Sequence, residues 1–141
     1  MPRIERETQL VWEGNVARGA GTITAGTGAF EALPFSLASR VGKAEGKTSP
    51  EELLAAAHGG CLTMSLANEL SLAGSPPSRL EVTVRVVMDE VDGNHEIVAS
   101  HVTLAGDHVP DEIIELADRG CPFSRLLKRA GVEVTITRQR P

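Results

Sequence analysis

Two cysteines are the residues of this chain best suited to chemistry. Cys61 lies inside a segment of helical pattern, directly after Gly59-Gly60, and Cys121 stands directly before Pro122. Proline favours the first position of a helix, so Cys121 is predicted at the N-cap or the adjoining position. The unpaired N–H groups and the positive end of the helix dipole favour a thiolate there. This setting is typical of reactive thiols, although free cysteines are also commonly buried as small apolar residues.

A zinc site and a papain-like Cys–His pair are the alternatives that would use the same thiols. Zinc usually takes four ligands in local Cys or His pairs, and His95, His101 and His108 show no such pairing. His58 lies one helical turn before Cys61, but a single histidine at this spacing is a weak basis for a metal site or a hydrolase. We therefore predict no metal and no cofactor.

Composition and charge exclude several classes of partner. The 141 residues fit one domain, and we expect residues 1–141 to form it. With 14 basic and 19 acidic residues the net charge is −5, which argues against nucleic-acid binding. The first ten residues lack the apolar core of a secretory signal, and polar residues interrupt the longest apolar stretch, so no membrane span is expected. We expect a cytoplasmic protein, in which a permanent disulfide is not expected.

A long central helix over residues 48–74 is the clearest predicted element. Ser49 is placed to cap it, Pro50 takes its first position, Glu52 completes a Ser-x-x-Glu capping box, and Gly74 closes it. A helix that is apolar on most sides must be buried on most sides, so we expect a second subunit to cover part of it. The apolar residues that spread over much of its circumference include Leu53, Leu54, Ala57, Cys61, Met64 and Leu72.

Alternating residues of period two predict strands around this helix. Asp92-Gly93 is predicted to turn one strand back on the next. Further helices are predicted to open at Pro110 and at Pro122, and Phe123, Leu126, Leu127 and Ala130 are expected to share a face of the second one. The fold class is therefore α+β, with two groups of antiparallel strands around the central helix. The predicted strands are residues 8–12, 21–25, 33–37, 80–86, 96–104 and 132–136.

Four segments along the chain form a recognisable series. They are WEG with RG at 12–19, TSPEEL at 48–53, AAHGGC at 56–61, and ADRGCP at 117–122 with Ser124 and Leu127-Lys128. In this order they resemble the OsmC/Ohr family of organic hydroperoxide peroxidases, over essentially the whole chain.

The Ala-Ala-His that precedes Gly59-Gly60 resembles the OsmC branch more than the Ohr branch. The glycine pair itself departs from the family, in which small Ala is more usual. Two glycines inside a helix are unfavourable by roughly 1 kcal/mol each, so a close neighbour is expected there.

The resemblance implies a fold, a set of site residues and a set of partners. It implies an OsmC-like, intertwined homodimer with two active sites at the subunit interface. Cys61 corresponds to the peroxidatic cysteine, Cys121 to the resolving cysteine and Glu51 to an assisting glutamate. The assisting arginine corresponds to Arg40 on the OsmC pattern, which we favour, or to Arg18 on the Ohr pattern. The implied partners are an organic hydroperoxide, with hydrogen peroxide as a further candidate, and an external dithiol, in oxidative or osmotic stress defence.

Two questions remain open at the level of sequence. A non-enzymatic, redox-responsive or ligand-binding protein of the same fold is the alternative function, and the presence of both cysteines argues against it. Glu51 and Cys61 lie ten residues apart, which is roughly 15 Å along an unbroken helix. Either two helices cross so that each site uses both chains, or the helix breaks at Gly59-Gly60.

Overall fold

The structure is a computed structural model that describes residues 2–140, and the chain divides into two compact units after Pro50. The first unit contains one antiparallel sheet of three strands, arranged in the order of the sequence and followed by a short helix. All three predicted strands of this unit are present. Their bounds are β1 Thr8–Glu13, β2 Ala20–Ala25 and β3 Leu33–Phe35, and α1 spans Leu37–Val41.

Two local features explain the first unit. A Cβ at Gly21 would lie 2.5 Å from the Phe35 ring and 2.8 Å from the Trp12 ring, so only glycine lets these rings approach with centroids 5.7 Å apart. The third strand ends earlier than predicted because Ser36 caps α1 in a reciprocal capping box with Ser39. The sequence prediction missed this helix, because the third position of its box holds serine rather than the usual Glu or Gln.

The second unit is built on the long helix predicted from the sequence. Helix α2 spans Pro50–Leu72 and ends where Gly74 takes a positive φ of 82°. The Ser75 N–H donates to the Leu70 carbonyl at 2.9 Å and closes the helix. The other elements are β4 Leu80–Val91, β5 Asn94–Gly106, α3 Asp111–Gly120, α4 Pro122–Arg129 and β6 Glu133–Arg138.

The sheet of the second unit has the order β4-β5-β6. Strands β4 and β5 form an antiparallel hairpin whose two turn residues, Asp92 and Gly93, both have positive φ, as the predicted turn requires. Strand β6 differs from the expected antiparallel arrangement, because it runs parallel to β5. Helices α3 and α4 supply the crossover connection that a parallel neighbour needs. The α+β fold class is confirmed.

Only one face of α2 is buried in the single chain. The buried positions recur every fourth residue at His58, Leu62, Leu66 and Leu70, and the leucines belong to the main apolar cluster of the unit. Met64 and Leu72, by contrast, are 70% and 74% exposed. The expectation that α2 is buried on most sides is therefore not met within one chain.

The inward face of α4 also differs from the predicted one. Leu127 is buried as expected, but Phe123 is 37% and Leu126 58% exposed, and Ala130 is exposed as well. The face that points inward carries Cys121, Ser124 and Leu127 instead. A hydrophobic pattern cannot place a serine in the core, so the apolar residues alone do not locate the inward face of α4.

Candidate active site

The two thiols lie beside each other in the second unit. Cys61 is near the middle of α2 and is half-buried, whereas Cys121 is fully buried at the start of α4. Both are free thiols, and the side chain of Cys121 is within hydrogen-bonding reach of Cys61. One accessible and one protected sulfur therefore meet at the junction of α2 and α4.

The pKa of the Cys61 thiol is raised from its usual value. Burial is the largest cause, and the hydrogen bond and charge of Cys121 raise the pKa further. The backbone N–H of Phe123 acts in the opposite direction, because it donates a hydrogen bond to the sulfur. A raised pKa disfavours the thiolate near neutral pH, so a thiolate at this position calls for an additional positive group.

Cys121 occupies the N-cap of α4, as predicted from the Pro122 that follows it. Its Sγ accepts a hydrogen bond from the Ser124 N–H at 3.4 Å. The first turn of α4 thus directs two backbone N–H groups toward sulfur, that of Ser124 to Cys121 and that of Phe123 to Cys61. The N-terminus of a helix favours negative charge on groups so placed, and the Phe123 N–H has this effect on Cys61.

His58 links three elements through its two ring nitrogens. It is fully buried on α2, and its Nδ1 lies 2.7 Å from Ser100 Oγ on β5. Its Nε2 lies 2.7 Å from Ser124 Oγ on α4. Burial lowers the pKa of His58, with a raising contribution from Asp118 and a smaller lowering one from Lys128. Both nitrogens are engaged, so this histidine is not poised to act as the base of a Cys–His pair or as a metal ligand.

The start of α4 is also held against α3. The Cys121 N–H donates to the Asp118 carbonyl at 3.3 Å, and the Asp118 carboxylate forms an ion pair with Lys128 near the end of α4. Among the described residues, the buried Asp118 Oδ1 has no hydrogen-bond partner. Ser65 on α2 donates to the Ala117 carbonyl at 2.8 Å. These contacts fix the junction that carries Cys121.

Helix α2 is continuous through the glycine pair. A Cβ at Gly59 would lie 2.9 Å from Val84 Cγ2 on β4, whereas one at Gly60 would meet no atom of the chain within 4 Å. Gly59 therefore permits the close approach of α2 and β4. The alternative of a helix broken at this point was wrong, and half-buried Glu51 lies in the first turn of α2, roughly 15 Å along the axis from Cys61.

The two candidate arginines belong to the first unit. Arg40 is exposed in the last turn of α1, where it helps to line a surface pocket of about 210 Å³ together with Trp12 and Phe35. Arg18 is exposed in the turn after β1, and its backbone N–H donates to Asn15 Oδ1 at 2.8 Å. The roles of both arginines remain predictions.

A shallow pocket of about 360 Å³ adjoins Cys121 along α4. Pro122, Phe123 and Leu126 form its apolar part, and Arg125 and Arg129 line its remainder. The sequence predicted that Phe123 and Leu126 share a face of α4 but did not predict that this face lines a surface pocket. The signal that could have revealed it is the phase of α4, which the capping role of Cys121 determines.

Residues 2–140 contain neither a membrane-spanning helix nor a cluster of metal-binding side chains. No helix in this part of the chain is both long and apolar enough to cross a bilayer. Over the same residues, no group of three or more His, Cys, Asp or Glu side chains is arranged to hold a metal ion.

Comparison with known proteins identifies the family. The family model described as OsmC-like protein matches residues 42–137, a span that includes both cysteines. The chain belongs to the OsmC-like family. It is 35% identical to the Peroxiredoxin OsmC of Escherichia coli strain K12 over 142 aligned positions, which cover 96% of each protein. The predicted family is confirmed, with the OsmC branch favoured, and the name of this relative, Peroxiredoxin OsmC, supports the predicted peroxidase class.

Solved structures of OsmC-like proteins share the fold. The organic hydroperoxide resistance protein OhrB of Bacillus subtilis has a TM-score of 0.70 at 22% identity, covering 94% of this chain and 98% of that protein. An OsmC-like protein of unknown function from Vibrio cholerae O1 has a TM-score of 0.76 at 14% identity, covering 97% and 100%. At such low identities these likenesses establish the fold alone.

Proposed function

We propose that this OsmC-like protein reduces organic hydroperoxides through a sulfenic acid on Cys61 and a disulfide between Cys61 and Cys121. The observation that carries the proposal is the contact between a half-exposed sulfur and a fully buried one. The accessible thiol is suited to meet a peroxide, and the protected thiol is suited to meet only the first thiol. The name of the Escherichia coli relative, a peroxiredoxin, supports the same chemistry.

In the first step the Cys61 thiolate attacks the terminal oxygen of ROOH. The O–O bond breaks, the sulfur gains the OH group, and the departing alkoxide takes a proton and leaves as ROH. The Phe123 N–H stabilises the thiolate that starts this step. The sulfur is oxidised and the peroxide is reduced by the same two electrons.

In the second step Cys121 condenses with the sulfenic acid. An S–S bond forms as the S–O bond of Cys61 breaks, and the hydroxide that leaves takes the proton of Cys121 and departs as water. An external dithiol then opens the disulfide by exchange, restoring both thiols and becoming oxidised itself. Because Cys121 is fully buried, the dithiol is expected to attack the Cys61 sulfur first.

An arginine and Glu51 complete the proposed site. A guanidinium near Cys61 would offset the causes that raise its pKa and would stabilise the charge on the leaving oxygen. We assign this role to Arg40, with Arg18 as the alternative, and we assign to Glu51 the role of orienting the guanidinium. The distance of roughly 15 Å between Glu51 and Cys61 along one helix supports a homodimer in which each site draws on both chains.

Apolar surface near the thiols favours organic peroxides over hydrogen peroxide. Phe123, Leu126 and Met64 are large apolar side chains that the single chain leaves exposed, and Phe123 directly follows the Cys121-Pro122 step. An alkyl or lipid tail buried against such residues would gain roughly 25 cal/mol per Å² of apolar area, whereas hydrogen peroxide has no tail to bury.

The remaining sequence predictions belong to the same proposal. We propose that residues 1–141 act as one OsmC-like domain, because the match to the Escherichia coli relative spans 96% of both chains. We also propose that the protein works in the cytoplasm in defence against oxidative or osmotic stress, where a dithiol reductant is available.

A peroxide-consumption assay tests the proposed function. The reduced protein is mixed with an alkyl hydroperoxide or hydrogen peroxide, and with a thioredoxin-like, lipoyl or small dithiol in turn. We expect turnover with at least one dithiol, a higher kcat/KM for the alkyl hydroperoxide, and no turnover for Cys61→Ser. A wild-type protein that consumes no peroxide with any dithiol would instead support the non-enzymatic alternative.

A further inference from the structure

The buried histidine of α2 has no place in the chemistry described so far. His58 is fully buried, and so are both of its hydrogen-bond partners, Ser100 and Ser124. The two bonds have the same length, 2.7 Å, and they join α2 to β5 on one side and to α4 on the other. Buried polar groups cost stability unless they are paired. An apolar side chain would fill this part of the core without needing two buried partners, so the presence of a histidine calls for an explanation beyond packing.

The same bridge reaches both thiols. His58 precedes Cys61 by three residues on a continuous helix, so the two side chains move together with α2. At the other end, Ser124 accepts or donates through its Oγ at His58, while its backbone N–H donates to Cys121 Sγ at 3.4 Å. One chain of contacts therefore runs from the helix of the first thiol to the sulfur of the second.

We propose that His58 is a positioning residue for disulfide formation, acting through Ser124 to hold the start of α4 so that Cys121 Sγ faces the Cys61 sulfur. The proposal rests on the proposed function, because it concerns the second step of that cycle. In this step Cys121 must approach along the S–O bond that breaks. A shift of the helix start by a fraction of an ångström would misalign this attack. In the first step the same shift would weaken only the hydrogen bond from the Phe123 N–H, which is one of several influences on the Cys61 thiolate.

The charges around His58 are compatible with a neutral imidazole that joins α2 to β5 and α4. Burial lowers the pKa of His58, so near neutral pH one ring nitrogen carries hydrogen and the other accepts. A serine hydroxyl can donate or accept as required, and both bonds can therefore form at once. Asp118 and Lys128, which act on the ring at longer range, form an ion pair with each other.

Ser124→Ala and Ser100→Ala form a matched pair for the test. Both serines are fully buried, and each substitution removes one 2.7 Å hydrogen bond to His58. Only Ser124 lies on α4. Thermal unfolding first establishes that both variants fold, and rapid mixing with one equivalent of hydroperoxide then follows sulfenic acid and disulfide formation at Cys61 separately.

We expect Ser124→Ala to slow disulfide formation by roughly tenfold or more, since misplacement of reacting groups by about 1 Å can cost on the order of a hundredfold in rate. Formation of the sulfenic acid should slow much less than disulfide formation, because the first step loses at most the contribution of the Phe123 N–H. Excess peroxide should then drive more Cys61 to sulfinic acid. Ser100→Ala should lower the melting temperature to a similar extent but leave disulfide formation within about twofold of wild type, because the bond to α4 is kept.

His58→Gln and His58→Leu extend the test to the histidine itself. The amide of Gln keeps one donor and one acceptor, so His58→Gln should retain part of the disulfide rate that His58→Leu loses. Equal slowing in the Ser124 and Ser100 variants, in proportion to lost stability, would overturn the inference while leaving the peroxidase cycle intact. Absence of peroxide-dependent oxidation at Cys61 in the wild type would overturn the proposed function, and the inference with it.

Discussion

Cys61 and Cys121 contribute thiols of different accessibility at one junction of the second unit. The half-buried position of Cys61 and the full burial of Cys121 suit the roles of attacking and resolving thiol. The residue types and the Pro122 after Cys121 were sufficient to predict the helix-capping position. The buried bonds of His58 to two serines were not predictable, because the partners lie 42 and 66 residues away in sequence and no local pattern couples them.

The acidity of Cys61 provides a test at this scale. Removing the Cys121 thiol takes away a hydrogen bond and a charge that both raise the pKa of Cys61, while burial remains. We therefore expect Cys121→Ala to lower the pH at which alkylation of Cys61 reaches half of its maximal rate, because only the thiolate reacts. Peptide mass spectrometry over a pH series, compared with Cys61 in the wild type, measures the shift.

The control for this titration is Ser71→Ala, which removes an exposed hydrogen bond to the Ala67 carbonyl within α2 and away from both sulfurs. Its half-maximal pH for Cys61 should equal that of the wild type. A Cys61 midpoint that stays unchanged or rises in Cys121→Ala would show that the neighbouring thiol does not hold the proton on Cys61.

At the scale of elements, the continuous helix α2 sets the distance between Glu51 and Cys61 within one chain. Its start at Pro50 and its closing Gly74 followed from the sequence, since capping signals are local. The close approach of Gly59 to Val84 did not follow from the sequence, because tertiary packing brings β4 to this point of α2. The inward phase of α4 does not follow from its apolar residues either, and the capping position of Cys121 is the local signal that indicates it.

A double-mutant cycle tests the reason for Gly59. In the wild-type background Gly59→Ala should destabilise by about 1–2 kcal/mol, because its Cβ would crowd Val84 Cγ2. In the Val84→Ala background the crowding atom is gone, and the same change should stabilise by up to about 1 kcal/mol through the higher helix propensity of Ala. Denaturant unfolding measures the four proteins, and additive free energies of unfolding would contradict the proposed contact.

At the scale of the molecule, one chain leaves part of its long helix uncovered. Met64 and Leu72 are mostly exposed, although one face of the helix packs on the unit's core. The α+β class, the approximate positions of the strands and the family could be predicted from periodicity and motifs. The parallel direction of β6 and the short α1 could not, because they depend on crossover packing and on an unusual cap.

Mixed dimers test whether each site draws on both chains. Cys61→Ser and Glu51→Ala proteins should each be inactive alone, and their heterodimers should regain one active site of two. That site would combine the wild-type Cys61 of one chain with the wild-type Glu51 of the other. This combination is expected because Glu51 and Cys61 of the same chain are separated by roughly 15 Å of helix. Differently tagged chains are refolded together and purified, and light scattering verifies the dimers. Heterodimers without activity would place each site within a single chain.

The central claim is that Cys61 attacks the peroxide and Cys121 resolves the product. Its most direct test is to trap the sulfenic acid in Cys121→Ser after one equivalent of an alkyl hydroperoxide. Serine keeps an N-cap oxygen for the Ser124 N–H, so the start of α4 should be preserved. We expect one equivalent of alcohol, a trapped sulfenic acid on Cys61, and no further turnover. A sulfenic acid trapped on Cys121 in Cys61→Ser, with none on Cys61 in Cys121→Ser, would reverse the roles and contradict the account.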